Sequence, residues 1–535
     1  MNRTSRMPLV KVISPRAVGM RAMSVVVISG LLMTCSANPV TGRSELAFIS
    51  QAEEISIGGQ HYGPSQQSQG GQLKVDPELT AYVNEVGQRV AAYSPRQLPY
   101  EFVVLNNSVP NAWALPGGKI AINRGLLYEL KSEAELAAVL GHEVVHSAAR
   151  HGAQSVERGM LLQGALVVTA VAATVSDNPY AGAIVGGAQV GAQLISQRYG
   201  REAERESDLY GTRYMAQAGY DPQGAVELQQ TFVRLSEGRA PGWLDGLFAS
   251  HPPSQERVNN NRQLVSQLRS EGFTAGDAGE QRYRQRTASL MANKPAYDLF
   301  DEANKLLRED KIEEAESKLD QAISLMPREA RFLGLKGDIA LMQRRYGAAI
   351  EQYNLAMARD DAYFDYYLGR GMAYSRQGNQ ARAKSDLEAS VKLLPTALAA
   401  NELGTLALAA NDRGSAKQYF QMAAAAPGDM GAQAQANFMR LDIADNPTAY
   451  VQAVPVLDRS GRVIVQVTNR APVPMATVTM ELRAVLNGQL TRIPFTARNV
   501  PAGRVSQYDS GQVLPANTNM QQIQAQAIVS SATVN

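Results

Sequence analysis

Between about residues 296 and 430 the chain repeats itself roughly every 34 residues, which leaves few folds open to it. Ala315, Ala349, Ala383 and Ala416 recur at spacings of 34, 34 and 33, and twelve residues before each stands a small residue: Ala303, Gly337, Gly371, Gly404. Four residues after each comes a large side chain, Leu319, Tyr353, Leu387 or Phe420, and seven after comes Ala322, Ala356, Ser390 or Ala423. Pro327 and Pro395 close two of the units, Pro427 falls one residue early, and Asp361 replaces the proline in another. A unit of this length holds two helices, whose small residues permit close approach and whose large ones fill the groove between them. One pair cannot bury its apolar face alone, so the pairs must stack into an α-solenoid.

This phase of small and large positions is the tetratricopeptide pattern. Such arrays present a concave surface to peptides or protein partners and supply recognition without chemistry. A chain of 535 residues exceeds what one hydrophobic core organises, and its character changes along its length. The shifts divide it into a leader (1–34), a mixed region with all five histidines (45–265), a polar linker (266–295), the helical array (296–440) and a run of alternating strands (448–535). Segments such as Arg462 to Val467 and Ala476 to Leu482 alternate polar and apolar residues between Pro and Gly, so a small C-terminal β-sandwich is expected. The apolar stretches at 160–175 and 181–194 are each shorter than a membrane span and are separated by Asp177-Asn178-Pro179, so they read as a buried hairpin, one that would cover the histidine-bearing site described below.

The formal charge of +2 comes from the leader, where Arg3, Arg6, Lys11, Arg16 and Arg21 precede any acidic residue. Without residues 1–34 the chain has 47 basic and 50 acidic side chains, a net of −3, which gives no reason to expect a nucleic-acid partner. A basic start, an apolar run from Met23 to Met33 and a following processing region make a secretory signal. Cys35 is the single cysteine, so no intramolecular disulfide can form. Its place after Leu32-Met33-Thr34 resembles a bacterial lipobox, with Met33 and Thr34 where small residues are usual. Lipidation of Cys35 is therefore expected, and Ser36 after it, by resemblance to bacterial lipoproteins, points to the outer membrane.

The chemistry lies in Leu140-Gly141-His142-Glu143-Val144-Val145-His146. Ser132 is placed as the N-cap of the helix that carries it, with Glu135 as its capping-box partner. His142 and His146 stand four residues apart on that helix, so both imidazoles leave one face and can bind a single Zn²⁺. Glu143 falls one position round, where its carboxylate can take a proton from a zinc-activated water and deliver it to a leaving amine. A catalytic zinc needs a third protein ligand. Downstream, Glu204 and Asp208 share a helix face, whereas Glu202 and Glu206 point roughly the opposite way. One of the first pair can hold the metal and the other a histidine's outer N–H; spacing alone allows either assignment. His61 and His151 have no partner at a useful spacing and read as surface histidines.

Taken together, HExxH, then Glu204-x-x-x-Asp208-x-x-Gly211, then Ala218-Gly219-Tyr220-Asp221-Pro222, resemble the family-48 metallopeptidases, those of the CAAX prenyl protease, HtpX and BepA type. Asn111-Ala112-Trp113-Ala114-Leu115-Pro116-Gly117-Gly118 is similar to that family's stretch upstream of HExxH, with Trp113 where Phe is commoner. Ser250-His251-Pro252 with Glu256-Arg257 is similar to its Thr-His-Pro element. The resemblance covers about 45 to 265, and the repeats and export signal liken the chain to the periplasmic BepA-like branch. It implies that Glu204 is the third zinc ligand, that Asp208 stands behind a ligand histidine, and that His251 approaches the zinc. An imidazole there could fill the open metal position or hydrogen-bond the tetrahedral oxyanion. Gly117 and Gly118 would let a substrate backbone pair with a sheet edge, placing them and Trp113 in the substrate site.

The expected architecture is therefore multidomain: an α+β zincin-type, gluzincin-like protease domain, the tetratricopeptide α-solenoid and the β-sandwich. The expected function is a zinc endopeptidase, one Zn²⁺ per chain, that cleaves unfolded or misassembled envelope proteins in the periplasm. Polypeptide substrates and envelope assembly proteins would engage the repeats, and the lipid on Cys35 would give a peripheral membrane contact. The rival expectation is a chaperone or assembly factor that acts through the repeats while the protease stays latent.

Overall fold

The computed structural model describes residues 35–163, 199–238, 251–273, 276–426, 428–486, 488–515 and 517–534. The leader before Cys35, and all of the two apolar stretches beyond residue 163, lie outside the described residues. The chain divides into two compact units, Met1–Val171 with Gln189–Ala292, and Ala172–Ala188 with Asn293–Asn535. Among the described residues no helix is long and apolar enough to cross a membrane.

In the first unit a short antiparallel strand pair, Cys35–Ala37 with Ser44–Leu46, precedes helix α1 (Gln51–Ser68), opened by a capping box between Ser50 and Glu53, and α2 (Pro77–Ala91), capped by Asp76. Three short strands follow: β1 (Glu101–Leu105), β2 (Ala112–Leu115) and β3 (Lys119–Asn123). They form a sheet in the order β1-β3-β2, with β1 parallel to β3 and β2 antiparallel to it. Runs such as Phe102-Val103-Val104-Leu105 and Ile120-Ala121-Ile122 are buried at every residue, the sign of a sheet covered on both faces.

Helix α3 (Glu133–Ala148) is buried along its whole length. Ser132 caps it by accepting from Glu135 N, as expected, but the Glu135 carboxylate accepts from Lys131 N and so does not close a reciprocal box. The unit continues through α4 (His151–Gln163), α5 (Arg201–Gln217), α6 (Gln223–Gly238) and α7 (Gln255–Ser270). α5 ends on Gly219 at φ 87°, where the Tyr220 N–H reaches back to Met215 O at 3.0 Å, a left-handed stop that glycine adopts freely. The segment read as a polar linker is largely helical: α7 runs into it, Glu280–Arg286 forms a further helix, and α8 (Ala288–Arg308) begins inside it. Its polar surface hides two anchors. Arg282 pairs with buried Glu133 at 2.7 and 2.8 Å, and buried Tyr283 donates to Leu127 O.

In the second unit the helices come in pairs: α8 with α9 (Ile312–Leu325), α10 (Ala330–Met342) with α11 (Tyr346–Met357), α12 (Phe364–Arg376) with α13 (Gln380–Leu393), and α14 (Ala397–Ala409) with α15 (Arg413–Ala423). The small and large positions do what their sizes require. Ala315, Ala349, Ala383 and Ala416 are fully buried, and a Cβ at Gly337, Gly371 or Gly404 would meet Tyr353, Leu387 or Phe420 at 2.6, 2.9 or 2.7 Å. The turn inside each pair also repeats, with left-handed backbone at Asp310, Arg344, Gly378 and Asn411. After α16 (Asp429–Asp445) come six strands: β4 (Val451–Leu457), β5 (Arg462–Asn469), β6 (Met475–Leu486), β7 (Gln489–Val500), β8 (Val505–Val513) and β9 (Gln526–Val534). They make two antiparallel sheets, β8-β5-β4 and β9-β6-β7, which share one core with Met439 and Ile443 of α16.

Candidate metal centre

Three elements bring four side chains to one point in the first unit. His142 and His146 come from one face of α3, Glu204 from the first turn of α5, and His251 from the short Pro-rich run before α7. All four are buried, and one donor atom from each lies within 4.8 Å of the others. His142 Nε2 and His146 Nε2 are 3.0 Å apart, and the Glu204 oxygens stand 3.6 and 3.4 Å from them. His251 Nδ1 is 3.0 Å from Glu204 Oε1 and 3.3 Å from His142 Nε2. Glu143 lies beside the group, with Oε1 3.6 Å from His251 Nε2 and Oε2 buried without a hydrogen-bond partner.

Outer partners fix the two α3 imidazoles. His142 Nδ1 meets Asp208 Oδ1 at 3.0 Å, and the Arg257 guanidinium grips Asp208 with two bonds of 2.8 and 2.7 Å while standing 3.0 Å from Glu204 Oε2. His146 Nδ1 meets His151 Nδ1 at 2.9 Å, and Tyr199 stacks on the His146 ring at 4.0 Å. With their Nδ1 atoms committed outward, neutral His142 and His146 turn lone pairs toward each other and toward a carboxylate. Such donors repel unless a cation stands among them, so the set fits a divalent metal bound by imidazole and carboxylate.

The local field is that of an anionic site, which favours a positive charge on or beside His142. Burial opposes charge on His142, yet Glu204 and Asp208 push its pKa up to about 10. Burial holds His146 well below the ordinary histidine range. Burial also works to raise the two α5 carboxyls, but the facing His251 and His142 keep Glu204 well below the usual carboxylate range, and Arg257 keeps Asp208 low. Glu143 is the exception: burial raises it against the pull of His251 and His142. Two carboxylates held charged and a third made more basic is the division that a metal ligand, its support and a general base would need.

The helix crossing sets these distances. A Cβ at Gly211 would lie 2.8 Å from Gly141 C and His142 N, so α5 seats its glycine directly on the α3 backbone. Gly211→Ala is expected to cost about 1–3 kcal/mol by overpacking and to part Glu204 from the imidazoles, lowering thermal stability and metal affinity together. Unchanged melting and unchanged metal binding by the variant would contradict this packing.

Several residues are placed differently from their expected setting. His151 is no surface histidine: it is 4 % exposed and bonded to His146, because the chain turns at Arg150 and carries it back beneath the metal face. Trp113 is 3 % exposed and packs edge-on against Tyr62 in a cluster with Val103, Leu105, Leu115 and Ala121, which is core. Gly117 and Gly118 adopt φ 78° and 86° in the turn between β2 and β3, pressed on Ile55 of α1 and on Tyr100, so the turn itself requires them. Arg257 escaped recognition as a site residue; the signal for it was two acidic residues on one face of a helix, a pair that on burial demands a buried cation. A small cavity of about 30 Å³ adjoins Glu143 and His142, with Val139, Leu228 and Phe232 among its apolar lining.

A family model described as peptidase family M48 matches residues 76–265, and a tetratricopeptide repeat model matches 300–363. The chain is 27% identical over 378 residues to the "Beta-barrel assembly-enhancing protease" of Yersinia pestis, covering 66% of this chain and 76% of that one. It is 27% identical over 358 residues to the protein of the same name from Escherichia coli strain K12, covering 60% and 69%. A 163-residue stretch is 32% identical to the "Mitochondrial metalloendopeptidase OMA1" of Arabidopsis thaliana, covering 30% of each. Residues 76–265 are thus a metallopeptidase domain of family M48, and tetratricopeptide repeats follow it in the same chain.

Proposed function

We propose that the chain is a zinc endopeptidase of the bacterial cell envelope, acting on unfolded or misassembled outer-membrane proteins. The observation that carries this is the convergence of His142, His146 and Glu204 beside the buried Glu143 carboxylate, whose Oε2 has no hydrogen-bond partner. Two imidazoles and one carboxylate leave a tetrahedral metal one open position, which is the gluzincin arrangement and unlike a closed structural site. Bound zinc supplies the Lewis acid that makes a water nucleophilic at neutral pH. Glu143 would serve there as the proton carrier between a nucleophilic water and the leaving amine, and its raised pKa suits both halves of the transfer. Asp208 and Arg257 hold His142 in register. The outer edge of β2 carries no strand among the described residues, and an extended substrate adds there.

The envelope assignment draws on the secretory pattern of the leader and on the relatives' printed names, which couple a protease to β-barrel assembly. In this reading Cys35 is lipidated and anchors the protein to the outer membrane, the repeats engage substrate and assembly partners, and the paired C-terminal sheets are a β-sandwich. His251 belongs to the resting state: with Nδ1 among the metal donors it fills the fourth position and keeps the enzyme latent. Purified protein should therefore carry zinc and cleave a denatured β-barrel polypeptide slowly, and His251→Ala should cleave it faster at unchanged zinc content. Zinc-loaded protein that cleaves neither this substrate nor casein, with or without His251, would remove the proteolytic reading. Slower cleavage by His251→Ala would transfer that residue to oxyanion binding.

A further inference from the structure

We propose that His151, backed by Glu206, is the positioning residue that fixes His146 in its metal-binding form; the inference rests on the metal site above. Had α3 continued as a helix, His151 would stand five residues on from His146, about 140° round the axis and facing away. Instead α3 ends at Ala148 and Arg150 takes φ 64°, a left-handed conformation that a residue with a Cβ adopts only when its surroundings hold it there. Arg150 is held there by buried partners: Nε donates to Glu54 at 2.6 Å, and Nη2 donates to Ile49 O at 2.7 Å and to Glu157 at 3.1 Å. The chain thereby doubles back, and α4 starts with His151 under His146.

Metal binding through His146 Nε2 singles out one arrangement of protons along these contacts. His151 Nδ1 is 2.9 Å from His146 Nδ1, and its Nε2 is 3.3 Å from Glu206 Oε2. For His146 to offer Nε2 to a metal, its own proton must sit on Nδ1 and be donated to His151 Nδ1. A neutral His151 then carries its proton on Nε2 and donates it to Glu206. In the reverse arrangement a His151 lone pair would face a carboxylate, and the His146 proton would point into the metal site. Glu206 therefore selects the tautomer that binds metal, and it does so through His151.

The two ligand histidines are thus braced alike. α5 supplies Asp208 behind His142 and Glu206 behind His151, with Glu204 itself facing the metal donors. Arg257 steadies Asp208, and Arg43 stands 3.2 Å from Glu206 Oε1. His142 takes its carboxylate directly, whereas His146 needs an imidazole spacer to reach one.

The test compares His151→Leu with His151→Gln in the full chain, by zinc affinity in chelator competition and by the visible spectrum of the cobalt(II)-loaded protein. Leucine removes both hydrogen bonds, whereas glutamine accepts through Oε1 and donates through Nε2. The leucine variant is expected to bind zinc about 10- to 100-fold more weakly and to shift the cobalt spectrum, with the melting temperature of the metal-free protein unchanged. The glutamine variant should stay within about threefold of the parent and keep the parent spectrum. Equal zinc affinity in parent and leucine variant, or equal loss in both variants, would overturn the positioning role. A parent chain that binds neither zinc nor cobalt would overturn the metal site itself, and this inference with it.

Discussion

Glu143→Gln is expected to keep the fold and the bound metal while lowering proteolysis about 10²- to 10⁴-fold, the usual worth of a positioned proton shuttle. The geometry makes the separation clean. Glu143 Oε2 accepts no hydrogen bond from the protein, and Oε1 lies 3.6 Å from His251 Nε2, beyond hydrogen-bond distance, so an amide of the same shape breaks no internal hydrogen bond. Burial raises the carboxyl, and glutamine removes the cost of keeping a charge there, so the variant should melt no lower than the parent. Zinc content, melting temperature and cleavage of casein, measured on the same preparations, decide it. Full activity in the variant would discard the shuttle, and loss of zinc would show that Glu143 is a ligand.

The second large effect separates the carboxylates of α5. Glu204→Gln should leave the chain essentially free of zinc, because the amide replaces the one anionic ligand among two imidazoles. Asp208→Asn should weaken zinc binding only about 10- to 100-fold, since its oxygens meet His142 Nδ1 and Arg257 and not the inward donors. The neutral amide would also free Arg257, which is 3.0 Å from Glu204 Oε2 and would then compete with the metal for that ligand. Zinc dissociation constants for the two variants check the order, and the reverse order would exchange the roles.

The residues of the candidate metal cluster were legible because their spacing is local. Residues four apart on a helix share a face wherever the helix lies, which brought out His142 with His146 and Glu204 with Asp208. Which carboxylate turns inward depends on how α5 crosses α3 at Gly211 and Gly141, and that crossing is written in no spacing. The repeats were legible for a similar reason: Gly337 and Tyr353 lie sixteen residues apart in every unit's phase, so size alone shows which helices touch. His151 was misread because one residue, Arg150, leaves the helical conformation, and what holds it there comes from Glu54 and Glu157, one of them far away in sequence. Trp113 shows the converse. Its neighbours match a motif that borders the active site, but along a strand buried on both faces no pattern distinguishes a core side chain from one that faces substrate.

The central claim is that one zinc is held by His142, His146 and Glu204. X-ray absorption at the zinc edge of the purified chain, with the metal content of the same sample, addresses it most directly. The expected result is one zinc per chain in a four-coordinate shell of nitrogen and oxygen at about 2.0–2.2 Å, with the outer scattering of at least two imidazoles. That signal should be lost in Glu204→Gln. A chain that cleaves substrate without a bound transition metal, or a zinc shell without imidazole scattering, would contradict it.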